Sequence, residues 1–169
     1  AVQLLENLNQ KDVVFHVHEP PDMQIDCFAG HLRQEYAKEN TMDTTMRDTL
    51  LFFDQHKAAY PLYVQLQERL LAGFPESRVK VQKSQISFYN RHLYACVSFL
   101  KVKKKAEMPE NYFVLTLGMP APLASSRVAV QTEPYPGRWT AHLVISNASD
   151  LDKELFGWIE QAYRFALAK

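Results

Sequence analysis

VKVQKSQISFYNRHLYACVSFLKVKKK, Val79 to Lys105, is the stretch whose reading decides the fold. Apolar residues alternate with polar ones along it: Val79 and Val81, then Ile86 and Phe88, then Leu93, Ala95, Val97 and Phe99. A period of two sends successive side chains to opposite faces of a strand, so the segment predicts sheet. The apolar set changes parity across Lys83, Ser84 and Gln85, which predicts a bulge or a strand break at that point. Asn90-Arg91-His92 reads as the turn of a hairpin.

Outward from this hairpin the period of two continues. YFVLTLG (112–118), RVAVQTE (127–133) and the run in which Trp139, Ala141, Leu143 and Ile145 alternate with Thr140, His142, Val144 and Ser146 supply three more strands, the last entered through PYPGRW. Helical spacing brackets the strands. Before them, LLFFDQHKAAYPLYVQLQERLLAGFP is an apolar lead-in followed by a helix with Leu62, Tyr63, Leu66 and Leu70 inward and Asp54 as a cap; Pro61 requires either that the helix start near Ala58 or that it break there, and Gly73 and Pro75 end it. After them, Leu151, Leu155, Trp158, Ile159, Ala162 and Phe165 form the apolar face of a closing helix with Ser149 or Asp150 as cap. Consecutive strands without helical crossovers, flanked by helices, predict an α+β domain: an antiparallel sheet of about five strands with helices packed on one face.

The first residues are organised differently. VVFHVH is short and β-branched, EPPD breaks it, and Ile25, Phe28, Leu32 and Tyr36 then recur at helical spacing. The polar KENTMDTTMRD reads as a connector, so residues 1–44 are expected to be an acidic appendage of a short strand and a helix, and residues 45–169 the core domain.

A chain of 169 residues can bury a core without staples. Cys27 and Cys96 are far apart and lack metal-ligand spacing, so free thiols in a reducing cytoplasm are expected. No apolar run reaches the roughly 18 residues of a membrane span, and AVQLLENLNQ lacks the pattern of a secretion signal; no membrane association is expected.

The net charge of zero conceals a division. Up to Asp54 the chain has four Lys and Arg against ten Asp and Glu, and from Gln55 onward fifteen against nine. Between Ser77 and Ala106 there are eight basic residues and no acid. Cations neutralise phosphates, and Phe88, Tyr89, His92 and Tyr94 lie among them as surfaces on which bases stack, so the hairpin suggests nucleic-acid contact. An acidic protein or a small anionic ligand fits the same charges, and the plainest reading is that lysines protect strand edges from mispairing. The candidate anion-contacting residues are Lys83, Arg91, Lys101, Lys103, Lys104, Lys105 and Arg138. If Lys83 and Arg138 converge near His142, they form a pocket for a carboxylate or phosphate walled by Trp139 or Tyr135. The acidic appendage is a further candidate partner for the basic sheet, from the same chain or from a homodimer mate.

Catalytic signatures are sparse. His16 and His18 share one strand face and, with Glu19, Asp22, Asp26 or His31, would suit a metal-dependent enzyme, although the exposed face of a strand explains them more simply. There is no Gly-x-Ser-x-Gly, phosphate-binding Gly loop or His-Glu-x-x-His, and Glu133 is the only acid between Glu110 and Asp150. No cofactor and no catalytic residue is assigned. The working reading is a binding or accessory module.

Two likenesses bear on this. VQKSQISFYNRHLYACVSF, PYPGRWT and DLDKELFGWIEQAYRFA together resemble an uncharacterised bacterial domain-of-unknown-function family, number five-six-five-five, over about Phe53 to Ala166. That resemblance implies no activity. Trp139 before a strand, then Asp152, Glu154, Leu155 and Tyr163 on a helix, is similar to the MmcQ/YjbR-like double-wing proteins, and this likeness implies DNA binding by fold analogy alone.

Overall fold

The structure, a computed structural model, describes residues 44–169. The strand and helix expected within residues 1–44 and the His16/His18 pair lie outside the described residues.

A helix over residues 44–52 (α1) occupies the end of what reads as a polar connector. At its C-terminal end Phe52 stacks on Phe99 with centroids 5.2 Å apart, and Phe53, just beyond it, packs on Tyr63 at 5.0 Å. A 3-10 turn, Asp54–Ala59, leads into α2, Tyr60–Gly73. Pro61 sits in the first turn of α2, where its missing N–H costs nothing. Asp54 does not cap this helix. Its carboxylate instead accepts from Gln55 and pairs with Lys57 at 3.2 Å.

The sheet has six strands, β1 Arg78–Val81, β2 Gln85–Tyr89, β3 Leu93–Ser98, β4 Phe113–Met119, β5 Val128–Tyr135 and β6 Arg138–Ile145, all antiparallel in the order β1-β2-β3-β4-β6-β5. The sixth strand answers the parity change. The chain reverses through Lys83-Ser84, closed by the Gln82 N–H donating to the Gln85 carbonyl at 2.9 Å, so Val79 faces Phe88 and Val81 faces Ile86. Folding back through a two-residue loop pairs odd positions with even ones, and the apolar face never switches sides. A register shift does occur at Phe88/Tyr89, where Phe88 pairs with Ala95 and Tyr89 with Leu93, leaving Tyr94 as the extra residue. Tyr135 pairs with Arg138 across Pro136-Gly137, and Gly137 takes φ 68°, the left-handed backbone that glycine adopts without strain.

One face of the sheet carries Ile86, Phe88, Ala95, Val97, Phe113, Leu115, Leu117, Ala141, Leu143 and Ile145, all buried. Tyr63, Leu66 and Leu70 of α2 and Leu155, Trp158, Ile159 and Ala162 of the closing helix α3, Lys153–Leu167, belong to the same core. Each valine, leucine, isoleucine or phenylalanine among them contributes about 1.5–3 kcal/mol by leaving water. Asp152 caps α3 by accepting the Leu155 N–H at 2.9 Å, while Asp150 serves the preceding turn, accepting the N–H groups of Ser146 and Asn147. Ala166, in place of the expected Phe165, completes the buried stripe of α3.

Candidate functional site

Asn90 organises the end of the sheet at which β2 turns into β3. Its side-chain oxygen accepts the His92 N–H at 3.1 Å, its own N–H meets the His92 carbonyl at 3.2 Å, and its amide donates to the Tyr163 carbonyl of α3 at 2.8 Å. Arg78, the first residue of β1, donates to the Asn90 carbonyl at 2.9 Å. Beneath this turn Tyr94 shares a hydrogen bond with Ser77 at 2.7 Å and packs edge-on against Tyr163, which stacks on Phe74. Burial pushes the Tyr94 hydroxyl up to about 12, so it stays a neutral structural bond.

This scaffold frames an open cleft of about 580 Å³ lined by Glu76, Arg78, Asn90, Arg91 and Leu167. Asn90 is buried, whereas Arg78 and Arg91 are exposed. Among the described residues neither guanidinium has an ion-pair partner. The C-terminal end of α3 holds partial negative charge and favours cations beside it even without a ligand. Among the described residues Arg78 gives one nitrogen to the Asn90 carbonyl and Arg91 makes no side-chain hydrogen bond, so both have donors to offer.

The seven candidate cations fall into two groups. Arg91 and Arg138 lie at this end of the sheet, because Tyr89 and Leu93, Met119 and Trp139, and Tyr135 and Arg138 are the pairs that close the strands there. Lys83 and the exposed Lys101, Lys103, Lys104 and Lys105 lie at the other end, with Gln85, Ser98 and Phe113. The strands therefore separate Lys83 from Arg138, and Lys83 lines a hollow with Asp48, Leu51, Phe52, Val81 and Gln82 instead. His142 joins neither group. It lies on the face away from the helices in the row Ser87, Cys96, Thr116 and His142, where its Nδ1 and the Thr116 hydroxyl are 2.9 Å apart. Phe88 and Tyr94 are buried, which removes two of the four aromatics expected to stack on bases.

Sequence reading passed over three residues that matter here. Arg78 was one basic residue among eight, with nothing to mark its return to the Asn90 turn. Asn90 reads only as a turn former, because its bond to Tyr163 spans 73 positions. Lys169 lies beyond the motifs, yet burial and the nearby Arg138 charge lower its pKa. Arg127 belongs to a separate structural clasp. It donates to Asp152 and Glu154 at 2.9 Å and to the Asp150 carbonyl at 2.7 Å, and lies over the Trp158 ring.

Cys96 is a free, buried thiol, and burial raises its pKa against the lowering effect of its bond to Thr116, so it is protonated at neutral pH. Among the described residues no group of three or more His, Cys, Asp and Glu could hold a metal, and no helix is long and apolar enough to cross a membrane.

The model of the family described as a domain of unknown function (DUF5655) matches residues 50–166. The chain belongs to that family. The DUF5655 match spans the three helices in part or whole and all six strands, including the lysine end and every lining residue of the cleft but Leu167. No curated protein and no solved structure matches the chain, and nothing supports the likeness to the MmcQ/YjbR-like proteins.

Proposed function

We propose that this DUF5655 domain is a binding module that takes an anionic group, a phosphate or carboxylate, between Arg78 and Arg91. The observation that carries the reading is the pair of guanidiniums on one cleft that make no ion pair among the described residues, one of them bonded to the carbonyl of the buried Asn90. Guanidinium forks match the oxygens of such groups, and one preformed turn positions both. The test is thermal unfolding with increasing phosphate or acetate against sodium chloride of equal ionic strength. A saturable rise in Tm, lost in Arg91→Gln, is expected; a ligand at 100 times its Kd adds about 2.7 kcal/mol. No rise above the chloride control, or the same rise in Arg91→Gln, overturns the reading.

The lysine end favours a second reading. Lys83, Lys101, Lys103, Lys104 and Lys105 are exposed and make no ion pair among the described residues, which suits a nucleic acid or another acidic partner. Heparin retention that falls steeply with salt supports the reading, and each lysine replaced should reduce the salt slope by about one.

A further inference from the structure

Among the described residues Glu76 is the one acid lining the cleft of Arg78 and Arg91, and a ligand with negative charge alone gives its carboxylate nothing to hold. Glu76 stands in the turn Phe74-Pro75-Glu76-Ser77 between α2 and β1, closed by the Ser77 N–H donating to the Phe74 carbonyl at 2.9 Å. Both ends of that turn are anchored, Phe74 by stacking on Tyr163 with centroids 4.7 Å apart and Ser77 by its 2.7 Å hydrogen bond with Tyr94. Pro75 takes the second position, which its fixed φ suits. The carboxylate therefore rides on a preformed support, as the Arg91 guanidinium does. Glu76 is exposed, and among the described residues it makes neither an ion pair nor a side-chain hydrogen bond, although two guanidiniums line the same cleft. A free carboxylate there repels a purely anionic ligand and attracts one that brings a cation of its own.

We propose that the ligand is an amine-bearing phosphate monoester, its phosphate held by Arg78 and Arg91 and its ammonium by Glu76. The inference rests on the cleft being an anion site and names the class of anion it takes. Two guanidiniums suit a group of nearly two negative charges, and a phosphate monoester carries about −1.5 to −2 at pH 7. One carboxylate suits one ammonium. Leu167, exposed near the end of α3, gives the cleft an apolar contact for the carbon spacer between the two charged groups. A lipid headgroup can carry the same pair of groups, but its phosphate is then a diester with a single charge and leaves one guanidinium unmatched.

Calorimetric titration of the full chain at fixed pH and ionic strength, without divalent cations, tests this with O-phosphoethanolamine and propyl phosphate, which have the same shape and differ in the ammonium. O-phosphoethanolamine should bind about three to five times more tightly, the ratio that one exposed ion pair supplies. Glu76→Gln should bring the ratio to about one from both sides, weakening O-phosphoethanolamine and tightening propyl phosphate as attraction and repulsion vanish together. Glu110→Gln, the same change of charge at the lysine end, should leave the ratio as it is. Glycerophosphoethanolamine, the soluble diester headgroup, should bind more weakly than O-phosphoethanolamine. Equal affinity for O-phosphoethanolamine and propyl phosphate in the wild type overturns the ammonium subsite and leaves the cleft standing. A ratio unchanged in Glu76→Gln, or lowered as much in Glu110→Gln, also overturns it. Glycerophosphoethanolamine binding as tightly as the monoester overturns the choice of a monoester in favour of a headgroup. Failure of the wild type to bind either monoester overturns the cleft and the ammonium subsite together.

Discussion

The side-chain amide of Asn90 donates to the main-chain carbonyl of Tyr163 at 2.8 Å and so ties the turn between β2 and β3 to the last helix. A second bond, from the Arg78 guanidinium to the Asn90 carbonyl at 2.9 Å, brings the start of β1 to the same residue. Three elements that converge on one buried amide move as a unit, and Arg91 rides on that unit.

Replacing Asn90 by alanine should therefore act on stability and on binding. The part-buried Tyr163 carbonyl loses a side-chain donor and the turn loses its internal bond to His92, a loss of about 1–3 kcal/mol. Calorimetric unfolding should show Tm lower by several degrees. Phosphate protection at a temperature where the variant remains folded should weaken as Arg91 loses its fixed position.

Tyr63 calls for the opposite outcome. Its ring is fully buried against Phe53 and Phe113, yet its hydroxyl has no hydrogen-bond partner among the described residues, and burial with Tyr60 beside it raises its pKa. A buried polar atom without a partner costs about 1–3 kcal/mol. Tyr63→Phe removes that atom and keeps the ring, so an unchanged or higher Tm is expected. A fall of more than a few degrees would show that the hydroxyl is satisfied in solution.

Asp152 gives the domain an acid sensitivity. The Leu155 N–H, and after it the Arg127 guanidinium, hold its carboxyl below the usual carboxylate range. Its contribution is present above the unfolded value of about 3.9 and is lost as pH falls through the lower folded value. Asp152→Asn should narrow the gap between the melting temperatures at pH 7 and pH 3. A gap as wide as that of the wild type would assign the acid sensitivity to other carboxylates.

His142 works at higher pH and in the same direction. Burial lowers its pKa, so the folded state resists protonation while the unfolded chain takes up a proton near about 6.5. Stability is thus full above that value and declines as pH falls below it. His142→Gln keeps a polar group for Thr116 but cannot titrate, and the decline in Tm between pH 7 and pH 5.5 should be smaller in the variant.

Local periodicity determined most of the architecture. The period of two between Val79 and Ile145 and the stripe of Leu155, Trp158, Ile159 and Ala162 dictate strands followed by a helix, because each element must hide one apolar face. The parity change at Lys83 was equally visible, since a two-residue reversal leaves that trace in the residue numbers. Local sequence does not separate a cap from its neighbours as cleanly: Asp150 and Asp152 have similar credentials, and only the path of the chain assigns each its amides. The charges show the same division between what the chain spells out and what folding assigns. Composition established that the segment is basic. Only the pairing order β1-β2-β3-β4-β6-β5 decided that Arg91 and Arg138 share one end of the sheet while Lys83 and the lysine run take the other. Antiparallel strands return every second turn to the same end, so residues close in sequence are sent a strand's length apart, and Arg78, Asn90 and Tyr163 meet across 12 and 73 positions.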